Sequence, residues 1–579
     1  MRERDILLIV RKRRESALSK YLPEILWAEG IVNFECSSSC EGIEDYVIVI
    51  THAELSQEEW SRLEDYVSKG GRLISIRPPS SQARIFGLKP LYRKLSDYRL
   101  TPKYIGLDYT SPITKGLPNE VIQLVSEADI YECAGAEPIV YMYFCRDRRT
   151  EYPAISINRY GEGIAVAYSY DLTECVVNLR QGRRENTNRD IDGCGALKPN
   201  DLFIGMLDPR LKWIPQADLH MRLFSRILEH LFNEVKPLLR LWYFPKGASN
   251  VVIMTGDSDV MSSRDLEVLR SLIRKYNAQY TLFMRPEDQK AVPSDLKEEL
   301  AREGISLGLH TFPGFMPSIK EAEEAVREQS RAHERAYGRA LTHRGHCTIW
   351  IGWVEMAKIL KENGIKMDLS YYPYRYFQAG YLNGSGLPMK FIDEEGNILD
   401  IYEQSTHWAD DVTLTDKTFV DPYTIDELIK DTLKTIEESA RIYHTALTFC
   451  IHPINMRPSV LNSVKWMEAV LAYCRAKEVP VLSANYWLEF NEMRRSITVE
   501  RTSLLQGKCI IMLRVSKRIE NITLLLPTKF RDSRIKRILV NGNEQKYCIK
   551  EFLGKYYAAV FVDLEPPRAT VELEFDTNV

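Results

Sequence analysis

Long hydrophobic runs are missing from this 579-residue chain. No stretch approaches the roughly 20 consecutive apolar residues that a membrane span requires, so no membrane partner is expected. The opening run, residues 6–10, is too short for a secretion signal and meets Arg11-Lys12-Arg13-Arg14 at once. Read this way, the protein is expected to be cytoplasmic. An excess of either charge is also missing: 77 basic against 80 acidic residues leave a net charge of −3. Such a balance gives no electrostatic case for nucleic acid. Paired cysteines are lacking as well. The eleven cysteines are odd in number and share no repeated spacing, and Cys36 with Cys40 has no second pair to complete a zinc site. Reduced thiols are expected, and neither internal repeats nor low-complexity segments are found.

The chain is too long for one core, and its patterns fall into three parts. Residues 1–235 begin with alternating strands and helices: 6–10, a helical stretch 17–28, Tyr46–Thr51, an amphipathic helix Gln57–Ser68 and Arg72–Ile76. Ser56 and Glu59 form a capping box at the start of that helix, and Gly70-Gly71 closes it. Short strand–helix–strand units imply a doubly wound α/β sheet with helices on both faces. A hairpin follows around Tyr160-Gly161. Residues 173–215 read as irregular and polar, a length usual for functional or mobile segments. Residues 236–495 again alternate strands and helices and predict a distorted (β/α) barrel, with chemistry at the strand C-terminal ends. Residues 496–579 carry short strands at intervals of about ten residues and the Asn541-Gly542 turn signal, the pattern of a small β-sandwich.

Chemistry is concentrated in the middle part. Seven of the ten histidines lie there: His310, His333, His343, His346, His407, His444 and His452. The apolar run Val251-Val252-Ile253-Met254 ends in Thr255-Gly256-Asp257-Ser258-Asp259, which places two carboxylates one residue apart on the same side of an extended chain. Two adjacent carboxylates repel, and a divalent cation on one relieves the repulsion and leaves the other free as a base. His310 and His452 likewise end apolar strands. Of the remaining groups, His343 reads as a solvated neighbour, His333 and His444 as surface residues, Asp410 and Asp411 as a solvated loop, and Asp368 as a turn cap.

These elements resemble the polysaccharide deacetylase superfamily of metal-dependent carbohydrate esterases, of chitooligosaccharide deacetylase type, over about residues 250–490. The likeness rests on Thr255-Gly256-Asp257-Ser258-Asp259, Gly308-Leu309-His310-Thr311, Arg344-Gly345-His346, the stretch Gly364-Ile365-Lys366-Met367-Asp368-Leu369-Ser370-Tyr371, and Leu447-Thr448-Phe449-Cys450-Ile451-His452. The resemblance implies Asp257 as base, Asp259 and His310 as metal ligands, Arg344 orienting the base and His452 as acid. It also implies a divalent cofactor, Zn²⁺ with Co²⁺ or Ni²⁺ as alternatives, and an acylated sugar amine as substrate. The family's second metal histidine, four residues after the first, is replaced by Gly314. His346 or His407 is expected to supply the missing imidazole. Trp408, Tyr371 or Tyr372, and His407 are candidate substrate contacts.

The N-terminal region resembles the class I glutamine-amidotransferase-like fold by its order of elements and by Gly161-Glu162-Gly163-Ile164-Ala165-Val166-Ala167 before Asp171. No cysteine sits on a glycine-flanked elbow, so a non-catalytic module is expected. Two alternatives stand beside the hydrolase reading. One is a weak or inactive carbohydrate-binding protein on a deacetylase fold. The other, less favoured, is a glycoside hydrolase, because no Glu accompanies the Asp pair. Oligomeric state is not legible.

Overall fold

The computed structural model describes residues 4–11, 17–94, 103–107, 111–374, 377–505 and 507–576. Of the basic cluster near the N-terminus, Lys12, Arg13 and Arg14 lie outside the described residues. No helix among the described residues is long and apolar enough to cross a membrane.

The first region is built on a nine-stranded sheet. Phe34–Ser37, Arg4–Ile9, Tyr46–Thr51, Arg72–Ile76 and Gly163–Tyr168 run parallel. Alternation along the first strand explains why helices cover both faces. Ile6 and Leu8 pack with the helix Leu22–Ala28, whereas Leu7 and Ile9 pack with Gln57–Ser68. The capping box on Ser56 and Glu59 is present. Beyond Gly163–Tyr168 the sheet departs from a doubly wound one: Arg148–Tyr160, Glu137–Cys145, Tyr104–Gly106 and Val121–Gln123 are all antiparallel to their neighbours. The cause is local, because the tight turn after Tyr160 returns the chain beside itself and leaves no room for a crossover helix.

The expectation of an irregular 173–215 needs correction at its start. Leu172–Gln181 is helical, with the Asp171 side chain accepting from the Glu174 N–H at the N-cap. Beyond it the chain runs in short 3₁₀ turns to the helix Gln216–Asn233. That helix is buried on nearly all sides, because one apolar core runs continuously from the N-terminal sheet past it into the central and C-terminal regions.

The central sheet has the strand order Met389–Ile392, Ile398–Glu403, Met367–Asp368, Thr342–Gly345, Ile305–Thr311, Tyr280–Met284, Val251–Asp257, Ala446–Cys450 and Trp408–Ala409, and Val481–Leu482 also pairs with Val251–Asp257. All these ladders are parallel except the edge pair Met389–Ile392 with Ile398–Glu403. The two outer strands are not bonded to each other, so the sheet is curled but open rather than a closed barrel. Val252 and Met254 pack against the surrounding helices, while Val251 and Ile253 face the other side. Thr255 and Asp257 continue that second face.

The last region holds two sheets. One runs Ile497–Leu505, Lys508–Val515, Arg568–Phe575, Ser533–Val540 and Lys529–Phe530. The other contains Ile519–Pro527, Lys555–Leu564 and Tyr547–Phe552, and recruits Arg240–Leu241 from the segment entering the central region.

Candidate functional site

Gly256 shows why the strand Val251–Asp257 ends as it does. A Cβ at that position would stand 1.9 Å from the Tyr280 hydroxyl and 2.1 Å from the Ile451 carbonyl oxygen. Only glycine lets this strand lie so close to Tyr280 and to Ile451, the residue before His452. The register between neighbouring strands sets His310 beside Arg344. Asp257, Asp259, Arg344, His346 and His452 all line one cavity of about 270 Å³.

Asp257 is held on one side by a cation. Its Oδ1 accepts from Arg344 Nη1 at 3.0 Å, and the same guanidinium donates to Thr255 Oγ1 at 2.8 Å and Thr406 Oγ1 at 2.9 Å. Oδ2 accepts from the Cys450 thiol at 3.9 Å and faces His452 Nε2 at 3.6 Å and His310 Nε2 at 3.8 Å. Burial pushes the Asp257 pKa up, but His310, Arg344 and His452 outweigh it and hold the carboxyl well below the usual carboxylate range.

His452 is oriented by a residue the sequence reading set aside. Asp410 is fully buried, takes a hydrogen bond from His452 Nδ1 at 2.7 Å and another from the His452 backbone N–H at 3.0 Å. It is therefore not a solvated loop residue. Fixing Nδ1 leaves Nε2 aimed at Asp257. Burial opposes charge on this ring, but Cys450, Asp410 and Asp257 overcome it, and its pKa stands well above the ordinary histidine value.

Asp259, His310 and His346 form a second cluster. Their facing atoms are separated by 3.2 Å (His346 Nδ1 to Asp259 Oδ1), 3.5 Å (His310 Nε2 to Asp259 Oδ1) and 3.2 Å (His310 Nε2 to His346 Nδ1). His310 Nδ1 donates to the Arg344 carbonyl at 2.8 Å, so Nε2 presents its lone pair to the cluster. Asp259 Oδ1 is buried without a hydrogen-bond partner, although Arg285 Nη1 faces it at 3.5 Å. Three donor atoms so close, one of them a carboxylate oxygen that takes no hydrogen bond, suit a small divalent cation. Metal–ligand bonds of about 2.0–2.1 Å in a tetrahedral shell place donors about 3.3–3.4 Å apart. The residues present fit the ion. The backbone is strained beside two of them: Val260 has φ 45°, and Cys347 and Thr348 have φ 51° and 53°. Left-handed β-branched residues next to site residues cost about 1–3 kcal/mol each and mark positions the surrounding fold enforces.

Other expectations fall elsewhere. His407 reaches neither the metal cluster nor the cavity. It is fully buried, its Nδ1 accepts from the Thr448 N–H at 2.9 Å and its Nε2 faces the Ser385 carbonyl at 3.2 Å. Burial lowers its pKa to about 4, so both nitrogens are committed to holding backbone. Trp408 stacks on Trp213 with centroids 5.3 Å apart, and Tyr371 lies in the core against Trp350 at 5.0 Å. Neither floors the cleft; Tyr372, pointing the other way from Tyr371, does line it. His343 is fully buried between Asp368 at 2.7 Å and Thr311 at 2.8 Å, rather than solvated. His333 and His444 are buried too, each ring nitrogen Nδ1 bonded to a carbonyl, of Gly338 and Ser249. Asp368 does cap its turn, accepting from the Ser370 N–H at 3.0 Å. Gly314 has open space around it and offers no donor.

No family model matches this chain, and no curated protein does. Among solved structures it is similar to a Mycobacterium smegmatis protein assigned as a polysaccharide deacetylase, at 15% identity and TM-score 0.34, covering 46% of this chain and 97% of that one. It is also similar to a CE4-family pseudoenzyme from Bacillus anthracis, at 12% identity and TM-score 0.27, covering 42% and 66%. A GH42 β-galactosidase from G. stearothermophilus, as a catalytic mutant, shares 16% identity at TM-score 0.21, and the chain spans only 27% of its length. Likenesses this partial leave the side-chain geometry as the ground for function.

Proposed function

We propose that the chain is a metal-dependent hydrolase of non-peptide carbon–nitrogen bonds that removes an acyl group from a sugar-derived amine. One observation carries this reading: a three-donor cluster, Asp259, His310 and His346, opens through Asp259 and His346 onto the cavity lined by a separately held carboxylate and imidazole, Asp257 and His452. His346 stands in for the donor missing at Gly314. The second reading, a weak or inactive carbohydrate-binding protein on this fold, keeps its other motive, an N-terminal region without catalytic residues. Glycan binding unaffected by D257N and by chelation would favour it.

In this reading Asp259, His310 and His346 hold the ion, Zn²⁺ with Co²⁺ or Ni²⁺ as alternatives. Bound there, it would supply Lewis-acid stabilisation of charge developing on the acyl oxygen. Arg344 keeps Asp257 ionised and fixes its Oδ1, so Oδ2, which has only the weak Cys450 thiol donating to it, is the atom to take a proton from an attacking water. Asp410 pins His452 Nδ1, and His452 Nε2–H donates to the departing amine nitrogen. Acid and base thus have their pKa values pushed apart by their surroundings, which is how one site holds both roles at neutral pH. Residues 236–495 form the catalytic unit and 496–579 a β-sandwich. Residues 1–235 form an amidotransferase-like module without catalysis of its own, whose segment around 188–201 reaches the catalytic cavity.

The test is acetate release from N-acetylated sugars by the metal-loaded protein. The D257N protein should lose about 10²–10⁴-fold in rate while still binding metal. Wild-type rate in D257N would remove the proposed mechanism.

A further inference from the structure

The segment preceding Gln216–Asn233 places a lysine in the catalytic cavity. Lys198 lines the same pocket as Asp257, His346 and His452, yet only 7% of the residue is exposed. Its ammonium sits 3.4 Å from the centroid of the Tyr374 ring. No carboxylate or carbonyl among the described residues stands within ion-pair or hydrogen-bond distance of Nζ. Asp411 and Asp416 share the pocket wall but do not approach it that closely.

Several other buried cations in this protein rest on carboxylates, whereas Arg222 and Arg226 donate to the carbonyls of His444 and Leu553. Lys236 rests on Asp5 at 2.9 Å, Arg180 on Glu403 at 2.6 Å and Arg240 on Glu29 at 2.9 Å. Arg494, without a carboxylate, donates to the carbonyls of Trp242 and Ala28. With only an aromatic face beside it, the Lys198 ammonium opens onto the cavity, where an entering anion would replace the part of its hydration that the ring does not.

Lys198 is also fixed in place. Asp201 accepts from the backbone N–H groups of Ile191, Asp192 and Lys198, and Asp190 accepts from those of Cys194 and Gly195. The neighbouring Leu197 is stitched across the catalytic unit, its N–H donating to the Phe315 carbonyl and its own carbonyl accepting from the Trp350 N–H. A lysine held this firmly beside an open cavity is a binding group rather than a solvated surface charge.

We propose that Lys198, backed by Tyr374, forms an anion subsite, so that the acylated amine this site takes carries a carboxylate or phosphate group. The inference rests on the hydrolase reading and narrows its substrate class. It also gives the N-terminal region a part in specificity, since that region supplies the residue.

Calorimetric titration of the full-length, metal-loaded protein tests it with three probes: N-acetylglucosamine, N-acetylglucosaminuronic acid and N-acetylglucosamine 6-phosphate. At least one anionic probe should bind about tenfold or more tightly than the neutral one, and the better of the two identifies the anion. K198M should erase the preference and K198R should keep it, with unchanged thermal transitions confirming that both fold. Equal affinity for all three probes, absence of binding by both anions, or a preference that survives K198M would overturn the proposal. If the preference stands while none of the probes releases acetate, the hydrolase reading fails and the anion subsite remains.

Discussion

Replacing Asp410 by asparagine changes one charge and almost no volume, at a residue that touches no substrate. Asp410 receives four hydrogen bonds: from His452 Nδ1 at 2.7 Å, the His452 N–H at 3.0 Å, Asn455 Nδ2 at 3.1 Å and the Asp411 N–H at 2.9 Å. The amide of D410N keeps one acceptor oxygen and turns the other into a donor that faces donors. A hydrogen bond to a charged group is worth about 1.5–3 kcal/mol, and one pKa unit corresponds to about 1.4 kcal/mol. The His452 pKa, raised in the native protein, should therefore fall by about 1–2 units. With His452 as the proposed acid, activity should decline as pH rises through its pKa. In D410N that alkaline limb of kcat/KM should shift down by about 1–2 units, costing about 10–100-fold at the pH where His452 of the native protein still holds its proton. At lower pH the variant should approach the native rate, which a collapsed site would not do. The assay is acetate release across a buffer series, with metal content measured alongside. An unmoved alkaline limb, with activity intact, would refute the orienting role of Asp410.

Acid should unfold the protein through histidines outside the site. Burial lowers the pKa of His220 and His407 to about 4 and of His444 to about 3. Each is neutral when folded and near 6.5 when unfolded, so the unfolded chain binds more protons and stability is lost as pH falls from about 6.5 towards 4. The two rings at about 4 contribute roughly 3 kcal/mol each across that window. Tm followed from pH 7 to 4.5 should drop steeply, and a flat profile would contradict the buried neutral rings. G256A should cost about 1–3 kcal/mol or more through overpacking against Tyr280 and Ile451, read as a lower Tm; an unchanged Tm would show that the strand ends are not packed as described.

What could be read from the sequence followed strand ends. Asp257, Asp259, His310 and His452 each close an apolar run, and such runs are visible without a structure. His346 was harder, because it meets His310 through the register of two neighbouring strands, and spacing along the chain does not report that. Asp410 was missed for a plain reason: Trp408–Ala409 is a strand of two residues, too short to leave a pattern, and an Asp pair after it reads like a turn. Tyr371 and Trp408 were placed at the cleft on aromatic character alone, whereas alternation turns Tyr371 into the core and Tyr372 out to the cavity. His333, His343 and His444 carried no signal of burial, since a histidine bonded to a distant carbonyl or carboxylate looks the same in sequence as a solvated one. The antiparallel half of the N-terminal sheet and the open edge of the central one depend on long-range pairing, which local periodicity does not encode.

The proposed hydrolase requires Asp259, His310 and His346 to grip an ion, and elemental analysis of protein purified without chelator asks this without needing a substrate. About one divalent ion per chain is expected, lost in H346A and in D259A, with chelation lowering the thermal transition of the native protein and leaving that of H346A unmoved. A chain that carries no divalent ion, and whose transition is indifferent to chelator and to added Zn²⁺, would contradict it.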